Sequence, residues 1–166
     1  MLVIMKKCLL LIIMLLPSLE MMAQSLVGSW QESWKEKGNN KEMSSLAFKQ
    51  NGMMSLHIFS EKKENDGNLT SMTISIPGTY TRAGQLVYIK FDTNKLTVDY
   101  DDKKMNEGKY SKEERAAAII VIEQYRRNLS VFWPQTSTMK IISITAKDLV
   151  VDLIDEERRY KRVANH

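Results

Sequence analysis

Between residues 43 and 100, apolar side chains return at every second position in short runs separated by turn residues. Leu46 and Phe48 form the first run. Met54, Leu56 and Ile58 follow, then Met72, Ile74 and Ile76, then Val87, Ile89 and Phe91, then Leu96, Val98 and Tyr100. A period of two places each run on one face of a β-strand. The connections are short. Gln50-Asn51-Gly52 reads as a hairpin turn, because Asn-Gly tolerates the positive φ values that tight hairpins need. Asp92-Thr93-Asn94 is another turn, and the charged stretch 61–68 reads as a solvated loop. At Pro77-Gly78 the strand bends, or ends and resumes at Thr79. Such a series of antiparallel hairpins is a meander.

A first strand over residues 26–35 precedes this series, with Gly28, Trp30 and Trp34 on one face and Ser29, Gln31 and Ser33 on the other. Three strands come after residue 128. The first carries Ile142 and Ile144 on one face, the second Leu149, Val151 and Leu153, and the last Tyr160 and Arg162. The fold class expected is mainly β, an antiparallel meander barrel of eight or nine strands.

One segment breaks the period. Ser111 and Glu114 have the spacing of a capping box, in which each side chain satisfies an amide at a helix start. Glu113 and Glu114 near the start and Arg126 and Arg127 near the end suit the helix dipole. A helix is therefore predicted over 112–127, inserted between the sixth and seventh strands. Its apolar centre, 116–122, is broader than one amphipathic stripe, which predicts burial on more than one side. Ala118, Val121, Ile122 and Tyr125 share the face expected to close an edge or an end of the barrel. Ile119 and Ile120 are expected to meet a second surface. That surface is either the aromatic loop Phe132-Trp133-Pro134 or another subunit, so oligomerisation through helix 112–127 is an expectation.

The first residues read as an address. Lys6 and Lys7 precede an uncharged apolar run over 8–16, and Ala23 stands before the polar Gln24. That is the layout of a secretory signal peptide over 1–23. The apolar run is too short for a membrane span, which needs roughly 20 residues. The reading predicts an exported protein, periplasmic or extracellular, with a single domain over 24–166 and no stable membrane span after processing. The one cysteine, Cys8, would leave with the leader, so no disulfide is expected. Net charge would fall from +4 to +3 as Lys6, Lys7 and Glu20 depart. Charges of both signs are mixed along the chain, which is not a nucleic-acid footprint.

Chemistry-bearing patterns are sparse. His57 sits mid-strand, and His166 is terminal. Neither has a His or Cys nearby in sequence, so no metal site or cofactor is expected. There is no Gly-x-Ser-x-Gly elbow and no glycine-rich phosphate loop. Asp99, Asp101, Asp102 and Glu107 could form a calcium site or a carboxylate pair, but Lys103 and Lys104 among them favour a solvated loop. No catalytic residue is assigned, and the chain is read as a non-enzyme.

Leu26-Val27-Gly28-Ser29-Trp30 carries Gly-x-Trp on the first strand, and Tyr160-Lys161-Arg162 lies on the last. With the meander between them, this resembles the lipocalin-like proteins that Bacteroidetes secrete. The resemblance implies a barrel whose closed end is plugged by Trp30, with Gly28 before it and a late-strand arginine stacked over the ring. Arg162 is the candidate for that role and Arg159 the runner-up. It also implies a cavity for a small hydrophobic molecule. The candidate ligand-binding residues on the inward rows are Leu56, Ile58, Tyr80, Val87, Ile89, Val98, Tyr100 and Val151. The alternative is a structural or protein-interaction domain whose barrel is filled by its own side chains, as small barrels can be. Three features depart from the resemblance: the helix comes before the last strands, the second and third family motifs are not recognisable, and there is no disulfide.

Overall fold

The computed structural model describes residues 25–153 and 156–164. The signal-peptide reading and His166 fall outside the described residues. Ten strands follow one another: β1 (Gly28–Glu32), β2 (Lys35–Lys37), β3 (Asn40–Phe48), β4 (Met53–Lys63), β5 (Leu69–Ala83), β6 (Leu86–Phe91), β7 (Thr97–Asp102), β8 (Thr136–Ile144), β9 (Asp148–Leu153) and β10 (Glu156–Val163). A short helix α1 (Lys103–Asn106) and a long helix α2 (Lys112–Phe132) lie between β7 and β8.

Eight strands close on themselves in the order β1, β10, β9, β8, β6, β5, β4, β3, and β3 returns to β1. Every pairing is antiparallel. This is the expected barrel, with two strands added outside the ring. The exposed, charged β2 extends the β3 edge, and β7 pairs β5 alone. Closure satisfies the backbone groups that an open sheet would leave unpaired.

The long strand β5 explains how β7 fits. It runs through Pro77-Gly78 without ending. Its first half pairs β7 and its second half pairs β6 on the same side. A Cβ at position 78 would lie 2.6 Å from the Lys90 carbonyl oxygen, so glycine permits the close crossing there. Asp92 N donates to the Pro77 carbonyl at 2.8 Å and fixes the departure of the chain from β6. Of the stretch 61–68 read as a loop, residues 61–63 are strand, pairing residues 69–71 beyond the barrel wall. Alternation is not needed there, because both faces meet water.

Two other readings are corrected. In β8 the buried residues are Met139 and Ile141, while Ile142 is exposed. The pairing with β9 slips between Ile141 and Ser143. Ile142 is the extra residue of a bulge, and a bulge turns the alternation over. Ile144, after the bulge, again packs against the core. Trp34 is exposed because β1 ends at Glu32 and the inward row ends with it.

The helix is longer than predicted and far less covered. The capping box is present: Ser111 Oγ accepts from Glu114 N, and a Glu114 carboxylate oxygen accepts from Ser111 N. Yet no residue of α2 is buried. The helix packs against β7 and the 3-10 turn Thr93–Lys95 through a narrow row that includes Ala118, Ile122 and Leu129. The expectation of burial on more than one side is overturned. Ile119, Ile120 and Val121 stay exposed, because among the described residues only one side of the helix has a neighbour.

Candidate functional site

The two ends of the barrel differ. At one end the chain enters β1 through Gly28 and leaves through the end of β10. Trp30 is fully buried there, and its indole Nε1 donates to the Leu26 carbonyl at 2.8 Å. The Arg162 guanidinium lies 4.2 Å from the Trp30 ring centroid, within cation–π range. Its Nη1 and Nη2 donate to the Val27 and Ser25 carbonyls at 2.9 and 2.8 Å. The arginine thus ties the incoming segment to the last strand across the tryptophan face. Gly28 has φ +136, and a Cβ there would meet Arg162 Nη1 at 2.6 Å. Both the backbone conformation and the held guanidinium require glycine. Arg159 instead pairs with Glu157 in solvent.

Above this plug the interior is filled. Ile76, Val87, Ile89, Met139, Ile141, Leu149 and Val151 are buried in one cluster with Trp30, Leu46 and Phe48. Tyr80 stands at this end, its ring edge-on to Phe48 at 4.9 Å and its hydroxyl donating to the Lys49 carbonyl at 2.9 Å. Burial raises its hydroxyl pKa.

The other half of the barrel is open. A cavity of about 410 Å³ lies there, with walls from β1, β2, β3, β4, β6, β8, β9 and β10 and from the residues that follow α2. Met43, Leu56, Ile58, Phe91, Trp133 and Leu153 form its apolar wall. Trp133 caps the C-terminus of α2, its amide donating to the Leu129 carbonyl at 2.8 Å. Its indole stands edge-on to Phe91 at 6.2 Å. The sequence motif Phe132-Trp133-Pro134 therefore divides. Trp133 and Pro134 line the cavity, while Phe132 is 82% exposed.

One part of the wall is polar. Glu32, Ser44 and Tyr160 are buried together. Ser44 Oγ donates to Glu32 Oε2 at 2.5 Å and lies 3.0 Å from the Tyr160 hydroxyl. Arg158 Nη1 is 3.4 Å from Glu32 Oε2, and Lys35 Nζ is 3.5 Å from Glu32 Oε1. Burial raises the Tyr160 pKa above the ordinary phenol value. For Arg158, burial opposes the charge, but Glu32, Tyr160 and Glu156 outweigh it and keep the guanidinium firmly protonated. Among the described residues, Arg158 Nε and Trp133 Nε1 are buried donors without an acceptor, and both residues line the cavity.

Of the residues expected to hold a ligand, Leu56 and Ile58 line the cavity. Val87, Ile89 and Val151 fill the core below it, and Tyr80 sits at the plugged end. Val98 packs on the core from β7. Tyr100, also on β7, donates its hydroxyl to Asp102 at 3.2 Å. Its pKa is pushed up to about 12, first by burial and then by that carboxylate. The polar group Glu32–Ser44–Tyr160 is not among the residues expected from the sequence, although Glu32 follows Trp30 by two residues on the same inward row.

The acidic cluster is not simply a solvated loop. Asp102 is buried and accepts from Met105 N at 3.0 Å, Asn68 Nδ2 at 3.1 Å, and the Tyr110 and Tyr100 hydroxyls at 2.9 and 3.2 Å. Burial alone would raise its carboxyl pKa, but these donors hold it below the ordinary range. The group locks α1 and the segment after it to β5 and β7. His57 lies between Ser75 and Ser55 at 2.9 and 3.1 Å, and burial lowers its pKa. Among the described residues no group of three His, Cys, Asp or Glu is placed to hold a metal ion. No described helix is long and apolar enough to cross a membrane.

The fold and site together define a closed antiparallel β-barrel with one plugged end and one cavity-bearing end. No protein-family model matches the chain, and no curated protein sequence matches it. Among solved structures, the chain is similar to a lipocalin-like protein from Bacteroides uniformis, at 15% identity and a TM-score of 0.41, over 83% of this chain and 98% of that one. The barrel is defined by its own strand pairing, independently of that likeness.

Proposed function

We propose that this is an exported, non-enzymatic binding protein that holds a small, largely apolar molecule in the open half of its barrel. The cavity between Leu56, Ile58, Phe91 and Trp133 carries this reading. Its volume of about 410 Å³ falls within the roughly 300–1,000 Å³ of small-molecule pockets. Such pockets are mostly apolar, with a few polar groups that set orientation. Here the apolar wall supplies the burial. The donors of Arg158 and Trp133, unpaired among the described residues, suit acceptors on the occupant. Export rests on the leader-like segment 1–23, with Lys6 and Lys7 before the apolar run and Ala23 before Gln24. The reading of a wholly side-chain-filled barrel suits only the Trp30 half.

A titration with the uncharged fluorophore N-phenyl-1-naphthylamine tests the binding site. The wild-type protein is expected to saturate with one equivalent of probe. Ile58→Trp places a large ring in the cavity and is expected to weaken binding at least about tenfold, or by about 1.4 kcal/mol, with thermal stability retained. Equal binding by the two proteins, or no saturable binding by either, would remove the cavity as the site.

A further inference from the structure

Helix α2 presents to solvent a face that nothing among the described residues covers. Ala118, Ile122 and Leu129 are half-buried toward β7 and the 3-10 turn. On the opposite side Ile120 and Val131 are 66% and 75% exposed, with Ala116 and Ala117 exposed beside Ile120. Glu113, Ile120 and Arg127 are exposed and spaced by seven residues. Seven helical residues make two turns less about 20°, so these three form one nearly straight outward row. The helix's own salt bridge is Glu123 with Arg126, which leaves the Glu113 and Arg127 side chains unpaired among the described residues.

We infer that this face pairs with the same face of a second copy of the chain, the two helices running antiparallel about a two-fold axis at Ile120. A two-fold contact must be self-complementary, and this row is. With the axis at Ile120, Glu113 of one copy lies opposite the partner's Arg127, and the pair is repeated on the other side. Ile120 then meets the partner's Ile120, and Ile119 and Val121 flank the contact. Ala116 lies opposite the partner's Gln124, small against long, so the helix axes can approach closely. A parallel arrangement would oppose glutamate to glutamate and arginine to arginine, which is unfavourable. A membrane surface fits less well, because membrane-lying helices are rich in cations on the polar face, whereas here Glu113, Glu114 and Glu123 are mixed with Lys112, Arg115, Arg126 and Arg127. The proposal is independent of the ligand reading, since the face lies outside the barrel cavity.

Sedimentation velocity of the purified protein, over a range from about 1 to about 100 µM, gives the test by mass action. A concentration-dependent monomer–dimer boundary is expected. Ile120→Asp, at an exposed position that leaves the fold intact by circular dichroism, is expected to abolish the dimer. Arg127→Glu is expected to weaken it at least about tenfold through repulsion at both ends. The double variant Glu113→Arg with Arg127→Glu is expected to restore it. The double reversal opposes the helix dipole more than either single change, so restoration would report the intermolecular pairs rather than helix stability. A monomer at every concentration would overturn the proposal. So would a dimer indifferent to Ile120→Asp, a double variant no better than Arg127→Glu, or a monomer that instead floats with anionic lipid vesicles through this face.

Discussion

Replacing Trp30 by alanine is expected to destabilise the protein by about 3–5 kcal/mol, the range for removing a large buried aromatic side chain. Three losses coincide. The ring is fully buried against the core. Its Nε1 bond to the Leu26 carbonyl disappears, and that oxygen loses its indole donor. The Arg162 guanidinium loses the surface over which it lies while keeping its bonds to Ser25 and Val27. Trp30→Phe retains an aromatic ring and is expected to cost clearly less. Urea unfolding of both variants measures the effect, read as a shift in midpoint at constant slope. A change below about 1 kcal/mol for Trp30→Ala would mean that the plugged end does not hold the barrel together.

The second large effect is expected at Asp102. Asp102→Ala strands the Asn68 amide, the Tyr100 and Tyr110 hydroxyls and the Met105 amide around an empty position. Hydrogen bonds to a charged group contribute about 1.5–3 kcal/mol each in favourable cases, and the half-buried donors left behind recover part of that from water. A net loss on the order of 3 kcal/mol is expected. The pH dependence has a definite sign. The folded-state carboxyl is held below its ordinary value, so its stabilisation is present above about pH 4, the ordinary aspartate value, and is lost as pH falls through the folded value. Unfolding free energies between about pH 2 and 7 should show a falling acid limb in the wild type. That limb should be flatter in Asp102→Asn, which cannot ionise. An identical acid limb in the two proteins would assign the loss to other carboxylates.

The parts of the fold legible in the sequence are those where one side of a strand faces the core and the other faces water. The rows through Leu46, Leu56, Ile76, Val87 and Leu149 alternate for that reason, and all are buried. The start of the helix was legible because Ser111 and Glu114 satisfy each other's neighbouring amides locally. What was hidden depends on tertiary placement. A bulge at Ile142 leaves no mark in composition, yet it reverses which isoleucines of β8 point inward. The change of partner along β5 is set by where β6 and β7 dock, and Pro77-Gly78 shows only that something happens there. The apolar centre of α2 looked like a buried helix. Hydrophobicity shows that a surface calls for cover, not which surface provides it. Asp102 looked solvated because the Asn68 donor reaches it only through the pairing of β5 with β7, and the nearer donors Tyr100, Met105 and Tyr110 turn toward it only in the folded chain. The polar wall of the cavity was readable in principle, since Glu32 shares the inward row of Trp30 and Ser44 that of Leu46. A buried glutamate, however, is unexpected until Arg158 and Tyr160 arrive from the far end of the chain.

Native mass spectrometry of the protein recovered from the extracytoplasmic fraction, after extraction without detergent, tests the central proposal most directly. The expected spectrum shows a chain beginning at Gln24 that carries one additional small mass, released on mild activation and absent from Ile58→Trp prepared in the same way. A chain that retains Met1, or wild-type and Ile58→Trp proteins that both emerge with no added mass and acquire none from a lipid extract of the producing cells, would contradict it.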